Sequence, residues 1–309
     1  MDLTKEQINA LISCCEKLGC SYSQQEPLEK HTTFRAGGPA ELFVRVQNGE
    51  TCAELLRLAR QLEVPVHILG KGSNLLVSDQ GVEGLVLHME SKQNEFQRKG
   101  NEIIAWAGEN LSALCMYALE QKLSGLEFAY GIPGSVGGAV YMNAGAYGGE
   151  VKDCLKWVRY LDENLQEQLL PAEQLDLSYR HSMFCGTDCV ILEACFELKE
   201  GNSEDIKAIM DDVMFKRRDK QPLEHPSGGS TFKRPEGAFA AALIDQCGLK
   251  GRRVGGACVS EKHAGFIVND KQGSCQDILD LIEIVRMEVK EKTGYELETE
   301  VEFWGAQGV

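Results

Sequence analysis

A glycine-rich segment at residues 70–75 has the composition of a phosphate-binding loop. It reads Gly-Lys-Gly-Ser-Asn-Leu and follows an apolar run typical of a strand. Glycine allows positive φ and close backbone approach, so successive N–H groups can converge on phosphate oxygens. The segment is not a Walker A loop, because Pro65 occupies the first glycine position and Gly72 follows the lysine. It is not a Rossmann fingerprint either, since Leu75 replaces the third glycine, and taken alone it is equally typical of a tight turn.

Residues 125–149 form a second glycine-rich tract, in which 8 of 25 residues are glycine, against a usual share of about 7%. Ordering so much glycine costs chain entropy that no side-chain packing returns. A large flat ligand lying against bare backbone explains such a tract, and close strand packing is the alternative. Two separated glycine loops together fit a dinucleotide, one for its pyrophosphate and one for its ring and ribityl chain.

Three polar side chains are candidates for chemistry beside these loops. Arg180 follows an alternating, strand-like run at residues 175–179, and its guanidinium can hold a carboxylate through two hydrogen bonds. Ser230 ends the loop at 226–230, whose glycines permit close approach, although turn formation is the ordinary role of such a serine. Glu300 shares its strand parity with three other glutamates, so periodicity alone predicts an exposed acidic face. No Gly-x-Ser-x-Gly elbow is present, which disfavours acyl transfer.

A basic run at residues 216–220 stands out in an otherwise acidic chain. It ends a predicted helix, so favourable interaction with the helix C-terminus is one interpretation. Binding of nucleotide phosphates is the other, and the sequence does not separate the two. A serine hydroxyl such as that of Ser230 is a poor free acid, so its alkoxide needs a nearby positive charge. Lys220 and Lys233 are the candidates to supply that charge. The histidines show no metal-ligand spacing, so we predict no metal.

Helical and strand-like patterns alternate along the chain, which predicts an α+β fold. A capping box at Thr4 opens the first helix, and a strand, a helix and a strand then lead into the first glycine loop. A hairpin near residues 96–106 and a helix near 111–121 precede the second glycine tract. The last helix begins at Ser274, and a terminal strand at residues 297–303 follows it. We predict three units, at residues 1–91, 92–200 and 201–309.

Composition disfavours several classes of protein. A net charge of −15 argues against nucleic-acid binding, which needs a basic face to displace phosphate counterions. The length of 309 residues exceeds one ordinary core, in agreement with several units. The twelve cysteines include no C-x-x-C pair, so we expect reduced thiols in a cytosolic protein. No run approaches transmembrane length and the start carries no apolar signal segment, so we expect no membrane attachment.

Taken in order, the motifs of this chain resemble the MurB family of UDP-N-acetylenolpyruvoylglucosamine reductases. The likeness runs through nearly the whole chain, and any one segment would be weak evidence without the others. The matching segments are residues 31–38 (HTTFRAGG), 69–76 (LGKGSNLL), 131–138 (GIPGSVGG), 142–148 (MNAGAYG), 179–180 (YR), 229–233 (GSTFK), 262–266 (KHAGF) and 300–301 (EV).

The resemblance implies a two-part FAD-binding region of the PCMH type, similar to vanillyl-alcohol oxidase, followed by an α+β substrate domain. The short interval from Arg180 to Ser230 resembles the subtype that lacks an inserted substrate-capping loop. The chain departs from the family pattern at two positions. Arg234 stands where relatives with that loop often have asparagine, which puts its contact with substrate in doubt. Glu302 replaces a basic residue.

The resemblance also implies an activity, in which NADPH reduces FAD and a flavin hydride then reaches the enolpyruvyl methylene of UDP-N-acetylenolpyruvoylglucosamine. Negative charge grows beside the substrate carboxylate, and a proton must reach the adjacent carbon. On this resemblance Arg180, Ser230 and Glu300 have the catalytic roles. The product is UDP-N-acetylmuramate, a peptidoglycan precursor, and a cytoplasmic monomer or weak oligomer is expected.

Two sets of ligand contacts follow from the same resemblance. Those to FAD are Arg35, Gly70, Lys71, Gly72, Ser73, Asn74, Leu75, Gly134, Ser135, Gly137, Gly138, Asn143, Gly145 and Ala146. Those to the substrate are Lys220, Lys233 and Lys262. Two alternatives to this function stay open. One is another FAD oxidase or dehydrogenase of the same architecture, and the other is a non-catalytic nucleotide-binding module.

Overall fold

The computed structural model describes residues 3–305, and their mixture of helices and sheets confirms the predicted α+β class. The α-helices are α1 (Lys5–Leu18), α2 (Gly49–Gln61), α3 (Leu111–Glu120), α4 (Val136–Tyr141), α5 (Ser203–Lys220), α6 (Ala240–Gln246) and α7 (Cys275–Thr293). The strands are β1 (Tyr22–Pro27), β2 (Pro39–Val46), β3 (Val66–Leu69), β4 (Leu75–Val77), β5 (Val82–Met89), β6 (Phe96–Lys99), β7 (Glu102–Trp106), β8 (Leu123–Ser124), β9 (Gly145–Ala146), β10 (Gly149–Glu150), β11 (Leu155–Leu161), β12 (Glu167–Pro171), β13 (Val190–Glu197), β14 (Lys199–Glu200), β15 (Arg253–Val254), β16 (Ala257–Val259), β17 (Ile267–Asn269) and β18 (Glu302–Trp304).

The first unit is a mixed sheet of four strands in the order β1-β2-β5-β3. β5 runs parallel to both β2 and β3, while β1 is antiparallel to β2. Leu42 and Leu85 of this sheet share one core with Leu11 of α1 and Leu55 of α2. The predicted capping box at Thr4 is confirmed, since its hydroxyl accepts the Gln7 N–H at 3.2 Å and the Gln7 side chain accepts the Thr4 N–H at 2.8 Å.

The second unit is an antiparallel sheet of five strands in the order β12-β11-β13-β7-β6. The predicted hairpin is confirmed as β6 and β7, and the predicted helix beyond it as α3. The first and second units share a continuous core, to which Leu87, Ile103 and Val140 all contribute fully buried side chains. Helix α5 joins this core through Ile206 and Met210, so it packs on the N-terminal half of the molecule.

The C-terminal unit combines the three-stranded sheet β15-β16-β17 with α6 and α7. Its core also contains Phe34, Ala36 and Leu76 from the first hundred residues. The capping box predicted at Ser274 is confirmed, and α7 ends where Gly294 adopts a left-handed conformation. Strand β18 returns to the first unit and pairs in parallel with β4, directly after the first glycine loop.

Two local predictions were wrong. The terminal strand predicted at 297–303 is restricted to β18, and Thr299 forms only an isolated bridge with Phe232. The run at 175–179 is a turn region and not a strand, and Arg180 after it has a φ of 55°. Burial of a turn explains Leu175, which lies fully buried in the shared core, whereas Tyr179 is exposed.

The cysteines are unpaired thiols. Burial raises the pKa of Cys15, Cys52 and Cys275 to about 12. These three thiols therefore stay protonated near neutral pH and pack as small apolar groups. Within residues 3–305, no helix has both the length and the apolar character needed to cross a membrane.

Candidate functional site

A cavity of about 850 Å³ lies where the two glycine-rich segments, the loop at residues 228–230 and residues 300–304 converge. Arg180, Ser230 and Glu300 all line it, although they are far apart in sequence. It is also lined by most of the residues predicted to contact FAD: Gly70, Lys71, Gly72, Ser73, Asn74, Leu75, Gly134, Ser135, Gly137, Gly138, Gly145 and Ala146. The fold therefore brings the two glycine loops and the three candidate catalytic side chains to one cavity.

The two glycine loops touch each other, and glycine is what allows the contact. A Cβ at Gly70 would lie 2.3 Å from the Ser135 Oγ, and one at Gly72 would lie 2.1 Å from the His31 carbonyl oxygen. Gly72 also has a φ of 58°, a conformation that side chains disfavour. Close packing of the backbone therefore requires glycine at these two positions.

The second glycine tract contains a short helix, α4, which sequence patterning did not predict. Ser135 caps it by accepting the Gly138 N–H at 3.2 Å. Gly137 packs against the end of β7, since a Cβ there would lie 2.9 Å from the Ala107 Cβ. The Gly137 N–H donates to the Ala107 carbonyl at 2.8 Å, which holds α4 against the second sheet.

Arg180 and Glu300 form the charged centre of the cavity. The Arg180 Nε donates to the Glu300 Oε1 at 2.5 Å, and its Nη2 donates to the Gly145 carbonyl at 3.3 Å. The guanidinium also lies over the Tyr179 ring, 5.0 Å from its centroid. Burial raises the pKa of the Glu300 carboxyl, and the Arg180 charge partly offsets that rise. The pair leaves other N–H groups of Arg180 available to an anionic ligand.

The position of Glu300 corrects the periodicity argument, which predicted an exposed acidic face. Its side chain is only 12% exposed, whereas the Glu298 side chain is 72% exposed. The Asn74 Nδ2 donates to the Glu300 carbonyl at 2.9 Å, and the Glu302 N–H donates to the Asn74 carbonyl at 2.9 Å. The first glycine loop therefore holds the end of the chain, and this contact buries Glu300.

Ser230 reaches the cavity on a glycine loop packed over Phe34. A Cβ at Gly228 would lie 2.4 Å from the Phe34 ring, so only glycine permits this approach. Gly229 follows with a φ of 81°, and a Cβ at this position would have no neighbour within 4 Å, so it faces open space. The Glu300 N–H donates to the Thr231 carbonyl at 2.8 Å, which places the residue after Ser230 directly against the Glu300 peptide.

Arg217 and Gln221 line the cavity, although sequence reasoning named neither as a site residue and treated Arg217 only as a member of the basic run at 216–220. Arg217 is 7% exposed, and burial lowers the pKa of its guanidinium. Within residues 3–305, the Arg217 Nε and the Gln221 Oε1 are buried without a hydrogen-bond partner. Buried polar atoms are ordinarily satisfied, so these two are expected to meet a polar ligand in the cavity. A sequence signal existed, because Arg217 continues the helical spacing of the buried Val213.

Several predicted ligand residues lie outside the cavity lining. Arg35 is exposed, with a φ of 52°. Asn143 is fully buried, and its Nδ2 donates to the Glu150 Oε2 at 2.7 Å and to the Ser178 carbonyl at 2.9 Å. These bonds fix the turn that carries Arg180, which is a structural role.

The three predicted substrate lysines also lie outside the lining, at the surface. The Lys233 Nζ pairs with the Glu298 Oε1 at 2.5 Å, so its charge is already partnered by an exposed carboxylate. The Lys262 Nζ donates to the Arg218 carbonyl at 2.7 Å. Lys220 is exposed at the end of α5. No group of three His, Cys, Asp or Glu side chains within the part of the chain described is arranged to hold a metal ion.

His88 supports the first glycine loop from beneath. The residue pairs across the sheet with Leu69, directly before the loop, and its imidazole lies 5.4 Å from the Phe43 ring centroid. Burial lowers the pKa of His88 to about 4, with a contribution from the nearby charges of His31 and Lys71. The protein therefore holds this ring neutral against the loop.

We expect His88→Leu to reduce the loss of folding stability that the wild type shows as pH falls from 6.5 to about 4. A folded pKa near 4 against an ordinary value of 6.5 means that the unfolded chain binds more protons between these two values. The free energy of unfolding of the wild type should therefore fall as pH drops through that window, and the variant should lose this component. Urea unfolding from pH 7 to pH 4 measures it, with the exposed His225→Leu as control. Parallel curves for wild type and His88→Leu would contradict the assignment.

Two protein-family models match different parts of the chain. Residues 40–164 match the model of an FAD binding domain. Residues 221–304 match the model of the UDP-N-acetylenolpyruvoylglucosamine reductase C-terminal domain. The first match contains both glycine loops, and the second contains Ser230 and Glu300.

Comparison with individual proteins extends the similarity to nearly the full length. The chain is 49% identical over 294 residues to UDP-N-acetylenolpyruvoylglucosamine reductase of Lachnoclostridium phytofermentans, which covers 94% of each protein. It is 48% identical to the protein of the same name from Geobacillus thermodenitrificans, over 92% of this chain and 93% of that one. The crystal structure of UDP-N-acetylenolpyruvylglucosamine reductase (MurB) from Thermus caldophilus superposes with a TM-score of 0.79 at 36% identity, covering 93% of this chain and 99% of that one.

Proposed function

The chain belongs to the family of UDP-N-acetylenolpyruvoylglucosamine reductases, and from this premise we propose that it reduces UDP-N-acetylenolpyruvoylglucosamine to UDP-N-acetylmuramate with NADPH and FAD. The observation that carries the proposal is the shared cavity, in which Arg180, Ser230 and Glu300 meet the two glycine loops. A non-catalytic nucleotide-binding module would not require a buried arginine–glutamate pair beside its nucleotide site. The convergence therefore favours an enzyme.

The residues around the cavity fit FAD. Bare backbone at Gly70, Gly72 and Gly134 provides the close approach that a flat ring system and a pyrophosphate require. The unpartnered Arg217 Nε and Gln221 Oε1 are suited to the polar groups of the same ligand. FAD bound here supplies a hydride to the substrate after accepting one from NADPH.

Arg180 is proposed to stabilise the negative charge that develops at the substrate carboxylate. Its Nε is already held by Glu300 and its Nη2 by Gly145, so the guanidinium is oriented before the substrate arrives. A charged donor fixed in advance costs no reorganisation during the reaction. Glu300 in this proposal positions Arg180 and holds it charged in a poorly solvated cavity.

Ser230 is proposed to donate the proton that completes the reduction. The hydride adds to the enolpyruvyl methylene, and the Ser230 hydroxyl protonates the adjacent carbon and later regains a proton from solvent. Serine is a weak acid, so the alkoxide left behind needs nearby positive charge. Arg180 lines the same cavity as Ser230, whereas Lys233 lies outside its lining. Arg180 is therefore better placed than Lys233 to provide that charge.

The proposal also covers the substrate contacts, the roles of the three units, the cellular location and the oligomeric state. Lys220, Lys233 and Lys262 lie close in sequence to the cavity residues Gln221, Ser230 and Phe266, which is why we keep them as candidate substrate contacts at the rim. Residues 1–91 and 92–200 would hold FAD, and 201–309 would cover the substrate. A nucleotide-sugar substrate and a reduced nicotinamide are both cytoplasmic metabolites, so we place the enzyme in the cytoplasm as a monomer or weak oligomer.

Anaerobic spectroscopy of the purified protein tests the function. The wild type should show an oxidised flavin spectrum, bleach on addition of NADPH, and recover its colour when UDP-N-acetylenolpyruvoylglucosamine is added. Recovery only on admission of oxygen would indicate an oxidase of the same architecture. A colourless protein that takes up no added FAD would overturn the proposal.

We expect Arg180→Ala to slow flavin reoxidation by the substrate by about 10²-fold, the range for loss of one preorganised charge-stabilising donor. Its KM should rise, because the same guanidinium contacts the substrate carboxylate. Stopped-flow absorbance measures the half-reaction. Arg57→Ala is the matched control, since Arg57 lies on the exposed face of α2 in an ion pair with Glu54. Unchanged kinetics in Arg180→Ala would remove this residue from the site.

A further inference from the structure

The loop that carries Ser230 is attached to one edge of β17. The opposite edge of this strand pairs with β16. On the loop side, Ser227 forms an isolated bridge with Val268, and the Asn269 N–H donates to the Pro226 carbonyl at 2.8 Å. From Gly228 onward the loop leaves this edge, and Ser230 reaches the cavity. The loop must therefore be attached again beyond Ser230 for the hydroxyl to have a fixed position.

Thr231 provides that second attachment, and it does so with its side chain. The Ile267 N–H donates to the Thr231 Oγ1 at 3.1 Å. The backbone of Thr231 is used elsewhere, because its N–H donates to the Gly265 carbonyl and its carbonyl accepts the Glu300 N–H, both at 2.8 Å. The residue is fully buried, so all three interactions are shielded from water.

These three bonds connect the two sides of the proposed proton-transfer site. Ser230 precedes Thr231 directly in the chain, and the Glu300 peptide is bonded to the Thr231 carbonyl. In the next peptide, the Glu300 carbonyl accepts a hydrogen bond from the Asn74 Nδ2. A shift of Thr231 would therefore move Ser230 and Glu300 relative to each other and to the first glycine loop.

We propose that Thr231 is a positioning residue, whose hydroxyl fixes the Ser230 loop against β17 and so sets the geometry between Ser230 and Glu300. This inference rests on the proposed function of Ser230 and Glu300. The hydroxyl stands in for a backbone acceptor at the edge of β17, which leaves the Thr231 backbone free for Gly265 and Glu300. Valine has the same shape but no acceptor, and serine retains the acceptor.

The inference also gives a role to the segment 262–266, in which the family resemblance had assigned a function only to Lys262, as a substrate contact. Gly265 supplies the acceptor for the Thr231 N–H, and Ile267 directly after the segment supplies the donor to its hydroxyl. Gly265 is itself confined, since a built Cβ would lie 3.1 Å from the His263 ring and 3.2 Å from the Ala241 Cβ. The segment therefore acts as the support of the serine loop.

Thr231→Val and Thr231→Ser, compared in the two half-reactions, test the inference. In Thr231→Val, flavin reoxidation by UDP-N-acetylenolpyruvoylglucosamine should slow by about 10- to 100-fold, the scale expected when catalytic groups are displaced by about 1 Å. FAD content and the rate of flavin reduction by NADPH should match the wild type. The effect should fall on kcat more than on KM. Thr231→Ser should restore reoxidation to within a few-fold of the wild type.

Ser274→Ala is the matched control, because it also removes a side-chain acceptor, here a partly buried one, from a backbone N–H of the C-terminal unit, at the start of α7. It should lower thermal stability without slowing reoxidation. A wild-type reoxidation rate in Thr231→Val, an equal loss in both half-reactions, or failure of Thr231→Ser to recover would each overturn the inference. If the wild type itself were reduced by NADPH but not reoxidised by the substrate, the proposed function would fail first, and the inference with it.

Discussion

Replacement of Ser230 by alanine should slow flavin reoxidation by UDP-N-acetylenolpyruvoylglucosamine by up to about 10⁴-fold, the upper range for loss of a general acid. Reduction of the flavin by NADPH should stay close to the wild-type rate, because that step needs no proton from Ser230. The asymmetry follows from the site, where Ser230 lines the cavity on a loop separate from both glycine segments. Anaerobic stopped-flow absorbance resolves the two half-reactions.

The solvent isotope effect provides a second measure of the role of Ser230. In the wild type, where the hydroxyl proton is transferred during reoxidation, this step should be slower in D₂O than in H₂O. The size of this isotope effect should differ in Ser230→Ala, which has no hydroxyl proton to transfer. Ser227→Ala is the control in the same loop, since Ser227 is bonded to Thr33 through its backbone N–H and would keep that bond. Equal slowing of both half-reactions in Ser230→Ala would contradict the proton-donor role.

Replacement of Gly137 by valine should empty the flavin site. A Cβ at Gly137 would already lie 2.9 Å from the Ala107 Cβ and 3.2 Å from the Ala107 carbonyl oxygen, and valine adds two more methyl groups. Helix α4 must then move away from β7, which separates Ser135 from Gly70 at the cavity floor. Overpacking of this kind costs about 1–3 kcal/mol, and this cost, carried by the FAD-bound state, corresponds to roughly 5- to 160-fold weaker FAD binding.

Graded substitution separates this packing effect from general instability. Gly137→Ala should weaken FAD binding less than valine, because it adds only the first of the three carbon atoms. Gly201→Ala is the control outside the cavity, since its Cβ would lie 3.1 Å from the Ile206 Cδ1 and would crowd the core away from α4. Titration of the apoprotein with FAD, followed by fluorescence quenching, gives the affinities. Full occupancy of Gly137→Val by FAD at wild-type affinity would show that α4 does not shape the flavin site.

The position of Glu300 shows where local pattern fails. Alternation predicted an exposed acidic face, and Glu298 follows that prediction while Glu300 does not. The difference comes from the Asn74 side chain and from the pairing of β18 with β4, two contacts between the end of the chain and a loop more than 200 residues earlier. Periodicity carries no information about such a partner, so only the resemblance to a family identified Glu300.

Arg217 shows a different failure. The basic run at 216–220 was interpreted either as a favourable helix end or as a phosphate-binding surface, and only Lys220 was singled out from it. The helix separates them, because Arg217 lies on the buried face with Val213 while Lys220 is exposed. An arginine on an apolar helical stripe is a recognisable signal, but its meaning depends on the cavity against which that face packs.

The sequence by itself determined the local structure and the chemical inventory of this protein. Capping residues such as Thr4 and Ser274 specify helix ends through bonds to N–H groups within the same turn, and glycine at position 72 allows a left-handed backbone, so these features need no distant partner. Tertiary structure decided which groups meet: it paired Arg180 with Glu300, buried His88 under Gly70 and set Thr231 between Ser230 and Glu300. The physical reason is that burial and hydrogen bonding between distant segments are settled only when the sheets and helices pack, and these interactions set the charge state and position of each site residue.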